Sequence, residues 1–102
     1  MPDPELLTRE GQNLIVHSPG LLDISNVNVL DGLENEIDSC LPETVLLDLS
    51  ATTFMDSAGV GVLVRLFRFC HGRNIGFCLK APGGQPLSLL TMLKVTDVMQ
   101  IV

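Results

Sequence analysis

Ser57 is the hydroxyl with the clearest chemical promise. It lies in Phe54-Met55-Asp56-Ser57-Ala58-Gly59-Val60-Gly61. An apolar run that reads as a strand precedes this block, and an apolar-periodic stretch that reads as a helix begins within it. A serine at a helix N-terminus sits among backbone N–H groups that lack intrahelical partners, at the positive end of the helix dipole. A phosphate is tolerated there without unfolding the domain. Phosphorylation adds about 1.5 to 2 negative charges and three acceptor oxygens. Asp56 is adjacent, and the next base, Arg65, lies roughly 12 Å along the helix at about 1.5 Å per residue. A phosphate on Ser57 should therefore act on what the surface binds rather than refold the domain. Asp56 or Ser57 can also serve simply as a helix N-cap, and the two roles are compatible.

Other constellations offer less. His17 and His71 are the two histidines, and neither falls in a metal-ligand pattern. His71 would lie roughly 21 Å down the helix from Ser57, too far to serve as its base. Ser57 is not in a Gly-x-Ser-x-Gly elbow. Gly59-Val60-Gly61 lacks the rest of a dinucleotide fingerprint, and no Walker sequence is present. Asp23 and Asp56 could form an acid–base pair, but nothing indicates a substrate cleft. The three cysteines, Cys40, Cys70 and Cys78, have no CxxC spacing. They read as reduced thiols of a cytoplasmic protein. The residues thus imply a binding module without a cofactor, not an enzyme.

The elements that must position Ser57 follow from hydrophobic periodicity. Leu6 to Arg9 and Leu14 to Ser18 read as two short strands of a hairpin around Gly11-Gln12-Asn13. Asp23, Ser25 and Asn26 are helix-capping types. Val27, Leu30, Leu33, Ile37 and Leu41 then mark one face of a first helix, stopped by Pro42. Val45 to Leu49 is an almost wholly apolar strand, suited to being covered on both faces, as in a sheet with helical crossovers. Ala51 to Met55 leads as a loop into a second helix reaching Cys70 or His71. Ile75 to Leu79 is a strand, and Pro86 fits the first position of a third helix carrying Leu87, Leu90 and Leu93. Val98 to Val102 closes as a short strand. The order β-β-α-β-α-β-α-β predicts an α/β domain with a mixed, partly parallel sheet of four to five strands.

The second helix carries more apolar surface than one buried face needs. Val60, Leu63, Val64, Phe67 and Cys70 make the expected core stripe. Val62, Leu66 and Phe69 make another row beside it, with Arg65 on the polar stripe. Two outcomes are open: the row docks a partner or a second copy, or another element covers it.

Composition narrows the partners. The chain has 102 residues and a net charge of −6, which argues against nucleic acid. No apolar run reaches the 18 or so residues needed to span a bilayer. From Glu10 to Val64 there are nine acids and no Lys or Arg, whereas from Arg65 onward there are five bases and one acid, Asp97. The first stretch should present a negative surface.

The strand Val45-Leu46-Leu47-Asp48-Leu49-Ser50, the block Phe54 to Gly61, and Gly20-Leu21-Leu22-Asp23 upstream together resemble the STAS domain family, most closely the bacterial anti-sigma factor antagonists. The resemblance implies a single STAS domain over residues 1–102 with helices mainly on one face of the sheet. It implies phosphorylation of Ser57 by a partner that is both anti-sigma factor and serine kinase, with a PP2C-type phosphatase resetting it. Asp23, Asp56, Ala58 and Gly59 would be the neighbours of that site. Val62, Arg65, Leu66 and Phe69 would form the partner interface, because the family places its contact around this helix. Other STAS roles remain as alternatives: a scaffold of a stress-signalling complex, an accessory of lipid transport, or a nucleotide- or small-molecule-binding domain. Two departures stand out. Relatives continue into a C-terminal helix beyond the last strand, which this sequence lacks, and Leu66 and Phe69 stand where relatives are often polar. Both leave room for a homodimer.

Overall fold

The computed structural model describes residues 4–102. Its central sheet has five strands, β1 (Leu7–Glu10), β2 (Asn13–His17), β4 (Thr44–Asp48), β6 (Gly76–Lys80) and β7 (Gln100–Ile101), in the order β1-β2-β4-β6-β7. β1 pairs antiparallel with β2, and every other pair in this sheet is parallel. Two further strands, β3 (Leu21–Leu22) and β5 (Phe54–Met55), form a separate parallel ribbon. The helices are α1 (Leu33–Cys40), α2 (Ser57–Gly72) and α3 (Gly84–Met92).

Register decides which side chains make the core. Leu14, Val45 and Phe77 are neighbours across three strands, as are Val16, Leu47 and Leu79. All six join one apolar cluster with Leu30, Leu33, Ile37, Leu63, Leu66 and Leu90 from the helical layer. Each leucine fully withdrawn from water contributes about 1.5–3 kcal/mol relative to exposure. The other sheet face carries one apolar row, Ile15, Leu46 and Cys78, with polar residues beyond it. There His17 Nδ1 stands 3.4 Å from Asp48 Oδ2, and Thr8 Oγ1 stands 2.9 Å from His17 Nε2. His17 is thus held by strand neighbours.

The first helix differs from the sequence expectation. The stretch predicted to run from Val27 to Leu41 is broken into a 3-10 turn, Val27–Leu30, and α1. Asp31 is extended and Gly32 is left-handed at φ +84°, a conformation open to glycine at little cost. The break leaves Leu30, Leu33 and Ile37 fully buried. Leu41, expected on the same face, instead ends the helix at φ +47° with its side chain 70% exposed. Leu93, expected on the apolar face of α3, is likewise half exposed.

Candidate functional site

The segment that carries Ser57 is anchored before the helix begins. Asp48, at the end of β4, accepts a hydrogen bond from the Ser50 N–H at 2.9 Å. Burial works against its charge, but the Ser50 backbone bond together with the charges of Lys80 and His17 holds its carboxyl below the usual range. The Thr52 hydroxyl, itself buried, donates to the Pro19 carbonyl at 2.7 Å. The Thr53 N–H donates to the Gly20 carbonyl at 2.8 Å. These bonds deliver residues 54 and 55 to the β3–β5 ribbon, where Leu21 lies opposite Phe54 and Leu22 opposite Met55.

Gln85, in the first turn of α3, closes the free edge of that ribbon. Its Oε1 accepts from the Met55 N–H and its Nε2 donates to the Met55 carbonyl, both at 2.8 Å. A side-chain amide here completes the pairing of a strand residue. Sequence reasoning did not single out Gln85; an amide is inconspicuous among loop residues, and a distance of 30 residues hides the pairing.

Asp56 is the N-cap of α2. Its Oδ1 accepts from the Gly59 N–H at 3.1 Å and its Oδ2 from the Ile24 N–H at 3.1 Å. The Gly59 bond is the main reason its carboxyl lies below the ordinary range; the Ile24 bond adds to this against a smaller desolvation effect. Asp56 therefore does two jobs: it caps the helix and pins the residues after β3 beside the helix start. Asp23, in turn, accepts from the Ser25 N–H and hydroxyl at 3.1 and 2.6 Å.

Gly59 permits the close approach. A Cβ there would collide with the Leu22 carbonyl oxygen and stand 2.9 Å from Met55 Cγ. The first turn of α2 thus rides directly on the ribbon, and Gly59 is buried while Ala58 is half-buried.

Ser57 is the first helical residue and is exposed. Among the described residues its hydroxyl makes no hydrogen bond. Of the residues named from sequence, Asp56 caps α2, Ala58 and Gly59 lie in its first turn, and Asp23 directly precedes Ile24, whose N–H bonds to Asp56. Near this helix start also stand three exposed apolar side chains: Leu21 and Phe54, paired across the ribbon, and Ile24, 76% exposed, tethered through its N–H to Asp56. Their only sequence signal was apolar residues set among loop-forming ones.

The interface expected along α2 needs correction. Val62 and Leu66 are buried in the shared core with Leu30, Leu33 and Ile37. Arg65 pairs with Glu34 at 3.1 Å, and Arg73 pairs with Asp38 at 2.7 Å. Phe69 lies half-buried under the Arg73 guanidinium, 3.6 Å from its ring centroid. α1 runs alongside this flank, so Val62 and Leu66 pack inside the fold, while Arg65 and Phe69 stay exposed or half-buried at its edge.

All three cysteines are free, and burial pushes the Cys70 thiol up to about 11. Among the described residues no helix is long and apolar enough to cross a membrane.

The STAS domain family matches residues 3–102. No curated protein sequence matches. Several solved structures share the fold. An anti-sigma factor antagonist from Mycobacterium paratuberculosis is 19% identical, with a TM-score of 0.82 over 99% of this chain and 89% of that one. The anti-sigma factor antagonist SpoIIAA in its unphosphorylated form is 21% identical, with a TM-score of 0.72 over 94% and 84%. A sulfate transporter family protein from Wolinella succinogenes is 15% identical, with a TM-score of 0.79 over 97% and 85%. At these identities the likeness is one of fold, while the family match spans nearly the whole sequence: the chain belongs to the STAS domain family.

Proposed function

We propose that this protein is an anti-sigma factor antagonist, a binding module switched by phosphorylation of Ser57. The unphosphorylated form binds an anti-sigma factor that is also a serine kinase, and phosphorylation releases it. A PP2C-type phosphatase restores the binding form. ATP belongs to the kinase, and this chain needs no cofactor.

The observation that carries this reading is the exposed Ser57 at the start of α2, with exposed apolar side chains on the adjoining ribbon (Leu21 and Phe54) and on the segment tethered to Asp56 (Ile24). Such apolar surface suits a protein contact. A dianion introduced into that contact would have to be stripped of water as the interface closed. It would also stand beside Asp56, a carboxylate that hydrogen bonds from Gly59 and Ile24 hold in place with its pKa below the ordinary range. Two hydrogen-bonded tethers, Asp56 to Ile24 and Gln85 to Met55, hold these segments in place. The switch therefore changes what the surface can bind, while the fold beneath it stays put.

The test is phosphate transfer. Incubated with its cognate anti-sigma serine kinase and Mg-ATP, the chain gains one phosphate, mapped to Ser57 by mass spectrometry, and Ser57→Ala gains none. Phosphate on another residue, or none on the wild type, overturns the reading.

A further inference from the structure

A second apolar surface lies on the other flank of α2, away from α1. Val64 and Phe67 of α2 face Leu93, Val95, Val98 and Met99 across a groove of about 370 Å³. Leu93 and Val98 are half or more exposed along it. Arg68 and Lys94 also line it. Arg65 and Arg73 are neutralised by Glu34 and Asp38 of α1, whereas Arg68 and Lys94 form no ion pair among the described residues. Asp97, the one acid after residue 65, pairs with neither. A chain of net charge −6 thus keeps two free cations at one apolar groove.

Charge complementarity points to the occupant. Two grooves facing one another would set cations against cations, which disfavours a symmetric groove-to-groove pair. The surface of opposite character is on the same chain: Leu21, Ile24 and Phe54, flanked by Asp23 and Asp56, in a stretch without Lys or Arg from Glu10 to Val64. Arg68 lies roughly 16 Å along α2 from Ser57 at about 1.5 Å per residue, so patch and groove are separate surfaces.

We infer that the groove of one copy receives the Ile24 patch of a second copy, head to tail, with Arg68 and Lys94 facing Asp23 and Asp56. Such a contact uses different surfaces on its two sides and does not close on itself, so dimers grow into longer species as concentration rises. Each contact covers the surroundings of Ser57, so self-association competes with any other protein that binds there. The inference does not depend on phosphorylation, and its test uses no kinase.

The test is analytical ultracentrifugation of the full chain at low salt, from micromolar to millimolar concentration. The wild type gains mass with concentration, and the association weakens about tenfold or more in 1 M NaCl, where the screening length falls to about 3 Å. R68E/K94E keeps the patch but loses the groove; Ile24→Asp keeps the groove but loses the patch. Each alone stays monomeric with an unchanged far-UV circular dichroism spectrum. Mixed in equal amounts they form a 1:1 dimer that grows no further, because only one productive contact remains. Three results each overturn the inference: a mixture that stays monomeric, R68E/K94E that associates as well as the wild type, or a wild type that is monomeric at millimolar concentration whatever the variants do.

Discussion

Replacing Gly59 by alanine should destabilise the domain, while the same replacement two residues along the helix should stabilise it. At position 59 the new Cβ meets the Leu22 carbonyl oxygen, with Met55 Cγ at 2.9 Å and the Leu22 carbonyl carbon at 3.2 Å. The Leu22 backbone is held by its pairing with Met55, and both side chains are fully buried. The obstacle is therefore backbone, which cannot swing aside. Overpacking of a core costs about 1–3 kcal/mol, and a rigid neighbour puts this site near the upper end. Alanine recovers up to about 1 kcal/mol of helix propensity. The net loss is about 2 kcal/mol, or roughly 8–16 °C in Tm for a domain of this size. At Gly61 nothing lies within 4 Å of a built Cβ, so only the propensity gain remains, about 0.5–1 kcal/mol. Far-UV circular dichroism melts read both changes, and suit a chain without Trp or Tyr. A Gly59→Ala protein that melts with the wild type, or a Gly61→Ala protein that falls as far as Gly59→Ala, would refute the reasoning.

Gln85→Ala removes the partner of both Met55 backbone groups; urea unfolding should show a loss of about 1–3 kcal/mol, with faster amide exchange at Met55. Leu41→Gly relieves a left-handed leucine at φ +47° whose side chain is mostly in water; equilibrium unfolding should show a gain of up to about 1 kcal/mol. The raised pKa of Cys70, which burial drives from 9.0 to about 11, favours the neutral thiol in the folded state. Its contribution is complete below the unfolded thiol's pKa and is lost as pH rises from about 9 through about 11. That loss is about 2–3 kcal/mol at about 1.4 kcal/mol per unit, and a Cys70→Ala protein should lack this alkaline step in a denaturation series against pH.

Periodicity made the main frame legible. The run Val45-Leu46-Leu47 is apolar because Val45 and Leu47 face the helical core while Leu46 sits beside Ile15 and Cys78 on the other face, and Asp56-Ser57 marked the start of α2 because capping chemistry is local. What stayed hidden depends on distant partners. β3 and β5 are two residues each, too short for any period to register, and exist through pairing across 33 residues. Gly32 breaks the first helix although the apolar spacing runs through it unchanged. The extra apolar row on α2 looked like a docking face because nothing in its own sequence tells that α1 lies beside it. Ile24 and Phe54 carry the opposite lesson: isolated apolar residues in a loop attract no attention until the ribbon and the Asp56 tether bring them to the start of α2.

The most direct test is calorimetric titration of the cognate anti-sigma factor with three forms of this chain: unphosphorylated, Ser57→Ala, and stoichiometrically phosphorylated on Ser57. The unphosphorylated chain and Ser57→Ala should bind with similar Kd. The phosphorylated chain should bind at least tenfold more weakly, a difference of about 1.4 kcal/mol or more. Equal Kd values for the phosphorylated and unphosphorylated chains would contradict the account.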